Sequence, residues 1–222
     1  MQLITQLQAI ISEWDLLKHR FYQAWSQGQL KKDVLQQYAA QYYHQVKSFP
    51  TFISRVHSGC PEIAARKVLL ENLIDEELHG KDHPSLWMQF AEGLGVTKQA
   101  VLSEQALRET QWMVDEYYHL AERDWRDGLC ALYAYEYQVP AVSASKIAGL
   151  KEFYGIETAE TLEFFTAHQA YDVEHSNKVA ELIERYVDPE HAKRATREAS
   201  QALWGFLDGM CRVSGMDSIH CH

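Results

Sequence analysis

The chain has 222 residues, 46% of them hydrophobic, with six Trp and twelve Tyr, enough to bury a sizeable core in one large domain or two small ones. A formal charge of −10 argues against a nucleic-acid or anionic-membrane surface. No apolar run approaches the roughly 18 residues of a membrane span, the opening Met-Gln-Leu-Ile-Thr-Gln lacks the basic start of a signal peptide, and four scattered cysteines without a C-x-x-C pair fit reduced cytoplasmic thiols.

Each of the five prolines punctuates the chain, and the segments between breaks carry helical periodicity with little strand patterning. Helices are expected over 4–14 and 16–25, followed by the turn Ser26-Gln27-Gly28. A long helix over 32–57 contains Pro50, expected to kink it. Ser58 to Pro61 breaks the chain, with Pro61 suited to the first turn of a helix over 61–79. A short helix opened by Pro84 ends at Gly93-Leu94-Gly95. Helices over 103–122, 124–138, 140–154, 158–186 and 189–212 complete the chain. No linker, repeat or low-complexity stretch separates them, which reads as one all-α domain over 1–214, a compact bundle of seven or eight helices, with 215–222 as a flexible tail. The terminal His220-Cys221-His222 could bind metal, but a frayed end is the plainer reading.

Three stretches carry chemistry. In His168-Gln-Ala-Tyr-Asp172-Val-Glu-His175, three metal-capable side chains recur at i, i+4 and i+7 and fall within roughly 60° on one helix face. Imidazole with carboxylate suits iron, manganese or zinc; a solvated face with scattered His and Asp is the alternative. In the second stretch, from Ile74 to His83, Glu76 and His83 stand seven apart, although Gly80 and Pro84 imply a break between them. Acidic residues at a helix C-terminus oppose the helix dipole, and a bound cation would offset that. The third, Leu132 to Gln138, surrounds Glu136 with apolar residues on nearly all sides, so its carboxylate must be paired, protonated or metal-bound. Glu76, His83, Glu136, His168, Asp172 and His175 together are three carboxylates and three imidazoles on three inward-facing helices. That set fits two metals with open positions in a helical bundle, not a closed, Cys-rich structural zinc site, and it has the look of a dioxygen-activating centre.

On these residues the chain resembles the Chlamydia protein associating with death domains and its bacterial relatives. They are heme-oxygenase-like di-metal oxidases, in one superfamily with thiaminase II and pyrroloquinoline-quinone synthase C. The resemblance runs over most of the chain. It is carried by Phe21-Tyr22-x-x-Trp25, Tyr42-Tyr43-x-x-x-Lys47-x-Phe49-Pro50, Ala65-Arg66-Lys67 through Asn72 to Asp75-Glu76-Glu77, Tyr133-x-Tyr135-Glu136-x-Gln138-x-Pro140, and Phe165-x-x-His168 with Asp172 and His175. It implies a seven-helix heme-oxygenase-like bundle, a homodimer, two divalent ions (iron, manganese or both) on the six residues above, dioxygen as co-substrate and an external reductant. It also implies synthesis of 4-aminobenzoate for folate, with the ring taken from the protein's own Tyr22 and the nitrogen from its own Lys146. Oxidation passing through Tyr135 or Tyr43 is chemically plausible, since phenols near an oxidising metal are readily oxidised. Read without the resemblance, Tyr22 is a core aromatic and Lys146 a solvated helix lysine. One departure stands out: Phe164, four before His168, replaces a tyrosine of the chlamydial pattern, so no second tyrosine acts there.

Two other readings compete. Cys130, six before Glu136, resembles the nucleophilic cysteine of thiaminase II, which cleaves a C–N bond, but a small buried hydrophobe is the alternative for this residue. A purely protein-binding module is the other, yet nothing in the sequence marks a surface for death-domain partners, and metal ligands would be superfluous there.

Overall fold

Polar caps cut the chain into helices, and the computed structural model describes them over residues 2–78 and 80–216, the side chains of residues 2, 170 and 171 excepted. In chain order these are α1 (Gln2–Glu13), a 3-10 turn (Leu16–Lys18), α2 (Arg20–Ser26), α3 (Lys32–Gly59), α4 (Ile63–Glu77), α5 (His83–Gly93), α6 (Lys98–Ser103), α7 (Arg108–Arg123), α8 (Trp125–Glu136), α9 (Val139–Tyr154), α10 (Ala159–Tyr186) and α11 (Pro189–Val213). The all-helical bundle is as expected. The described helices number eleven rather than seven or eight because short pieces such as α2 and α6 stand as elements of their own. The segment 217–222, with His220, Cys221 and His222, lies outside the described residues, as does His79.

The boundaries follow local chemistry. The Asp124 carboxylate accepts from the Arg126 amide and starts α8, and Asp188 accepts from the Glu190 and His191 amides and starts α11 with Pro189 in its first turn. Gly155 ends α9 in the left-handed region at φ 64°, a conformation open to glycine without strain. Two boundaries correct the sequence expectation. Pro61 precedes α4, whose N-cap is Glu62, rather than lying in its first turn. The helix expected over 103–122 begins only at Arg108. Thr97 instead caps α6, which ends at Ser103, and the buried Gln41 amide ties down the crossing between them, donating to the Glu104 carboxylate and accepting from the Leu107 amide. Pro50 is carried inside α3, which runs through it.

The centre of the bundle is α8. Every residue from Asp127 to Glu136 is buried, as an apolar-all-round helix requires. Helices α3, α7, α10 and α11 surround it, and one continuous cluster from Leu7 to Cys211 forms the core. No described helix is long and apolar enough to cross a membrane.

Candidate metal centre

The six donors come from four helices rather than three. Glu76 lies in the last turn of α4, His83 opens α5, Glu136 ends α8, and His168, Asp172 and His175 share one face of α10. All six are buried, at most 5% exposed. The break anticipated between Glu76 and His83 is present. Asp82 caps α5 by accepting from the Ser85 amide at 2.7 Å, and this turn folds His83 back onto Glu76.

Glu76, His83 and His168 offer donor atoms within 4.8 Å of one another. His83 Nδ1 stands 2.7 Å from Glu76 Oε2 yet makes no hydrogen bond to it. Two ligands at right angles about an ion with bonds of about 2.1 Å would stand about 3 Å apart, so this approach, an ion-pair distance when the ring is protonated, also fits convergence on a cation. His168 Nδ1–H donates to the Phe164 carbonyl at 2.7 Å, which leaves Nε2 as the lone pair facing the cluster. Beside them, Asp172 Oδ1 lies 3.9 Å from His175 Nδ1, and His175 Nε2 is hydrogen-bonded to Asp75 Oδ2 at 2.8 Å. Asn72 donates to Glu136 Oε1 at 2.5 Å, while Glu136 Oε2 and Asp172 Oδ2 are buried with no hydrogen-bond partner.

The electrostatics match. Burial pushes the Glu136 carboxyl up to about 8, with Glu76 adding to the shift and the Asn72 hydrogen bond opposing it. Burial, Glu136 and Glu76 raise Asp172 well above the usual carboxylate range. Burial and the neighbouring His83 hold His168 neutral. A carboxyl-rich pocket with His168 held neutral and orphaned oxygens is destabilised without a cation. The donor set suits iron or manganese, and Asp75, Asn72 and the Phe164 carbonyl orient the ligands from outside, as supporting groups do at metal sites. The residues therefore fit a metal centre.

Against this pocket stands a ladder of tyrosines. The Tyr42 hydroxyl donates to that of Tyr135 at 3.1 Å, and the Tyr42 ring stacks on Tyr38 at 5.4 Å. The Tyr38 and Tyr22 hydroxyls share a hydrogen bond of 2.8 Å. Lys146 Nζ donates to Tyr38 at 2.7 Å and sits 5.1 Å from the ring centres of Tyr22, Tyr38 and Tyr42 alike. Lys146 is only 4% exposed, so it is not the solvated helix lysine of the bare reading. Burial lowers it to about 7. Sequence reasoning misses the roles of Tyr38 and Tyr42, the hinge of this arrangement, because buried tyrosines at helical spacing read as core. Asn72 and Asp75 are visible in the sequence only through the resemblance.

The remaining candidates lie elsewhere. Tyr43 is partly exposed on α3, with Lys47 over its ring at 5.8 Å; its neighbour Tyr42 is the residue that joins the ladder. Phe164 is tilted over His168 at 4.0 Å and edge-on to Trp87 at 4.8 Å, and brings no hydroxyl to that position. Cys130 is fully buried. Burial, then Asp127, raises its thiol far above the range of a nucleophile. A thiaminase-like role is not favoured.

The comparisons agree with this geometry. A family model described as "Iron-containing redox enzyme" matches residues 36–206. A 4-aminobenzoate synthase of Chlamydia muridarum is 38% identical, the match covering 100% of this chain and 94% of that protein. One from Nitrosomonas europaea is 40% identical over 92% of this chain and 89% of its own. Among solved structures, a TenA homolog from Pseudomonas syringae superposes with a TM-score of 0.82 at 17% identity, covering 95% of this chain and 91% of that one. At that identity it speaks for the fold alone. A helical bundle of heme-oxygenase type, a buried Glu-His-His cluster and a family match over most of the chain lead to one conclusion: the chain belongs to the iron-containing redox enzymes.

Proposed function

We propose that the chain makes 4-aminobenzoate oxidatively, drawing the ring from its own Tyr22 and the nitrogen from its own Lys146. The observation that carries this reading is a buried amine, without a carboxylate partner in its hydrogen bonding, held 5.1 Å from the centre of the Tyr22 ring through a shared bond to Tyr38. The names of relatives matched over most of the chain support 4-aminobenzoate as the product.

The chemistry needed can be read from the two molecules. A tyrosine side chain already carries carbon and oxygen para to one another. Conversion replaces the ring oxygen by nitrogen, oxidises Cβ to a carboxyl and breaks the Cα–Cβ bond; release of the nitrogen breaks Cε–Nζ of lysine. When bound by Glu76, His83, Glu136, His168, Asp172 and His175, two iron or manganese ions would supply the oxidising power, drawn from dioxygen and an external reductant. The protein's own groups do the rest. Burial keeps a large fraction of Lys146 neutral near pH 7, and a neutral amine is a nucleophile. Tyr38 holds that amine and the Tyr22 hydroxyl on one oxygen and so fixes their relative position. The rings of Tyr42, Trp87 and Phe165, at 5.1 to 5.8 Å from the amine, wall off water that would compete for an oxidised ring.

A reaction that consumes the protein's own side chains stops at one equivalent. Purified chain, loaded with metal anaerobically and then exposed to oxygen and reductant, is expected to release no more than one 4-aminobenzoate per chain, and none from Tyr22→Phe or Lys146→Arg. Many turnovers from an added small molecule would contradict the reading.

A further inference from the structure

The rings packed around the metal centre sort into two chemical kinds. Tyrosine and tryptophan give up one electron readily; phenylalanine does not. Followed outward among the described residues, nearly every ring contact of this cluster ends on phenylalanine. Tyr135 meets Phe49 at 4.4 Å. Tyr38 and Tyr42 meet Phe206 at 5.9 and 5.4 Å. Trp87 meets Phe90, Phe164 and Phe165. One line continues through oxidisable rings. Trp25, edge-on to Tyr38 at 5.4 Å and to Tyr22 at 6.3 Å, is also edge-on to Tyr154 at 6.5 Å, and Tyr154 is partly exposed near the end of α9. The backbone favours this line. A Cβ on Gly149 would come within 2.8 Å of the Trp25 indole, so only glycine lets α9 approach closely enough to set Tyr154 beside it.

We propose that Trp25 and Tyr154 form a one-electron outlet, by which oxidising equivalents that Tyr22 does not consume leave the buried cluster for the surface. The proposal rests on the metal-dependent oxidation described above as the source of those equivalents. With Lys146 neutral, the 2.7 Å contact can run the other way, the Tyr38 O–H donating to the amine lone pair; Tyr38 then gives one electron inward to the oxidised centre and its phenolic proton to that amine, leaving a neutral phenoxyl radical and an ammonium. Trp25 then returns one electron to Tyr38 while Lys146 returns the proton, leaving a Trp25 radical cation. The Trp25 Nε1–H donates to the Lys146 carbonyl at 3.3 Å, too weak a base to take that proton, so the vacancy moves on instead of settling. Tyr154 fills it with one electron and releases its proton to bulk water. Its oxygen accepts from the Leu30 amide at 3.2 Å, which occupies a lone pair and leaves the O–H for solvent. Overall, one electron passes from Tyr154 to the centre and one proton from Tyr154 to water. A thiol in solution then restores the tyrosine by giving up a hydrogen atom.

The test has two arms, only one of which needs metal. In the first, full-length chain loaded with iron and manganese is exposed to oxygen with a nitroso spin trap, and labelled peptides are mapped by mass. Tyr22→Phe is expected to carry several-fold more adduct on Tyr154 than the unaltered chain. Adding Tyr154→Phe should remove it and shift oxidation to Trp25. Adducts spread over Tyr43, Tyr118 and Tyr186 with Tyr154 unmarked would overturn the outlet. In the second arm, metal-free chain carries a light-driven one-electron oxidant attached through Lys151→Cys, an exposed position three before Tyr154. A tyrosine radical at Tyr154 is expected after the flash, and a longer-lived tryptophan radical at Trp25 in its place when Tyr154→Phe is added. No tryptophan radical in Tyr154→Phe would overturn the outlet on its own. A working relay here with no adduct anywhere in the first arm would instead defeat the metal-dependent oxidation, and with it the outlet's role.

Discussion

At the scale of single residues, Lys146 is the least expected group in the molecule. Lys146 shares a helical stripe with Val139, Val142 and Leu150, but a lysine on such a stripe ordinarily reaches its charged end out to water. Only packing reveals that this one points inward, through rings contributed by α2, α3, α5 and α10. Its ionisation gives a test. Burial lowers the folded value to about 7 from 10.5. Between those limits the unfolded chain holds a proton that the folded chain does not, so this site makes stability rise with pH, by about 1.4 kcal/mol per unit. Below about pH 7 the penalty is fully present; above 10.5 it is gone. Lys146→Met is therefore expected to stabilise the fold in urea titrations most at and below neutrality, with the gain shrinking as pH climbs. A gain independent of pH would mean that the lysine is not held neutral in the core.

At the scale of elements, α8 and α10 were the most legible. Apolar residues all around α8 announced burial, and the i, i+4, i+7 donors of α10 announced a face; both depend on helical period alone. The α6–α7 boundary was not legible, because its stop is the tertiary contact of Gln41 with Leu107 and Glu104, distant in sequence. Asn72 was hidden for the same reason: one turn before Glu76 on α4, it shows its role only when α8 brings Glu136 against it. Asn72→Ala is expected to lower metal affinity about 10- to 100-fold with the helices intact, as loss of a group supporting a ligand does; competition with a chelator measures it, and unchanged affinity would reduce Asn72 to packing. On α8, Cys130→Ala should keep most activity and lose about 1 kcal/mol of stability from the vacated volume. Inactivation with fold and metal content intact would revive the thiol as a nucleophile.

At the scale of the whole molecule, the bundle converges two sets of groups that are far apart in sequence. Candidate metal donors from α4, α5 and α10, with Glu136 of α8 close by, lie on one side, and the Tyr22–Tyr38–Lys146 assembly from α2, α3 and α9 on the other. Trp87 and Phe164 lie between, with Trp87 touching Tyr38 and Phe164 touching His168. The donors were recognisable because metal chemistry restricts residue types; the lysine and tyrosines were not, because the same residues serve as ordinary core and surface elsewhere. The central claim is that Tyr22 and Lys146 of the second set are consumed by the chemistry of the first. The most direct measurement is isotopic: chain labelled with ring-¹³C tyrosine, and separately with ¹⁵N lysine, is purified, loaded with metal and reductant, and exposed to oxygen. Labelled 4-aminobenzoate, carrying ring carbon from the first preparation and nitrogen from the second and absent from Tyr22→Phe, is the predicted result. Unlabelled 4-aminobenzoate would contradict it, and would make Tyr22 and Lys146 the walls of a pocket for some other substrate.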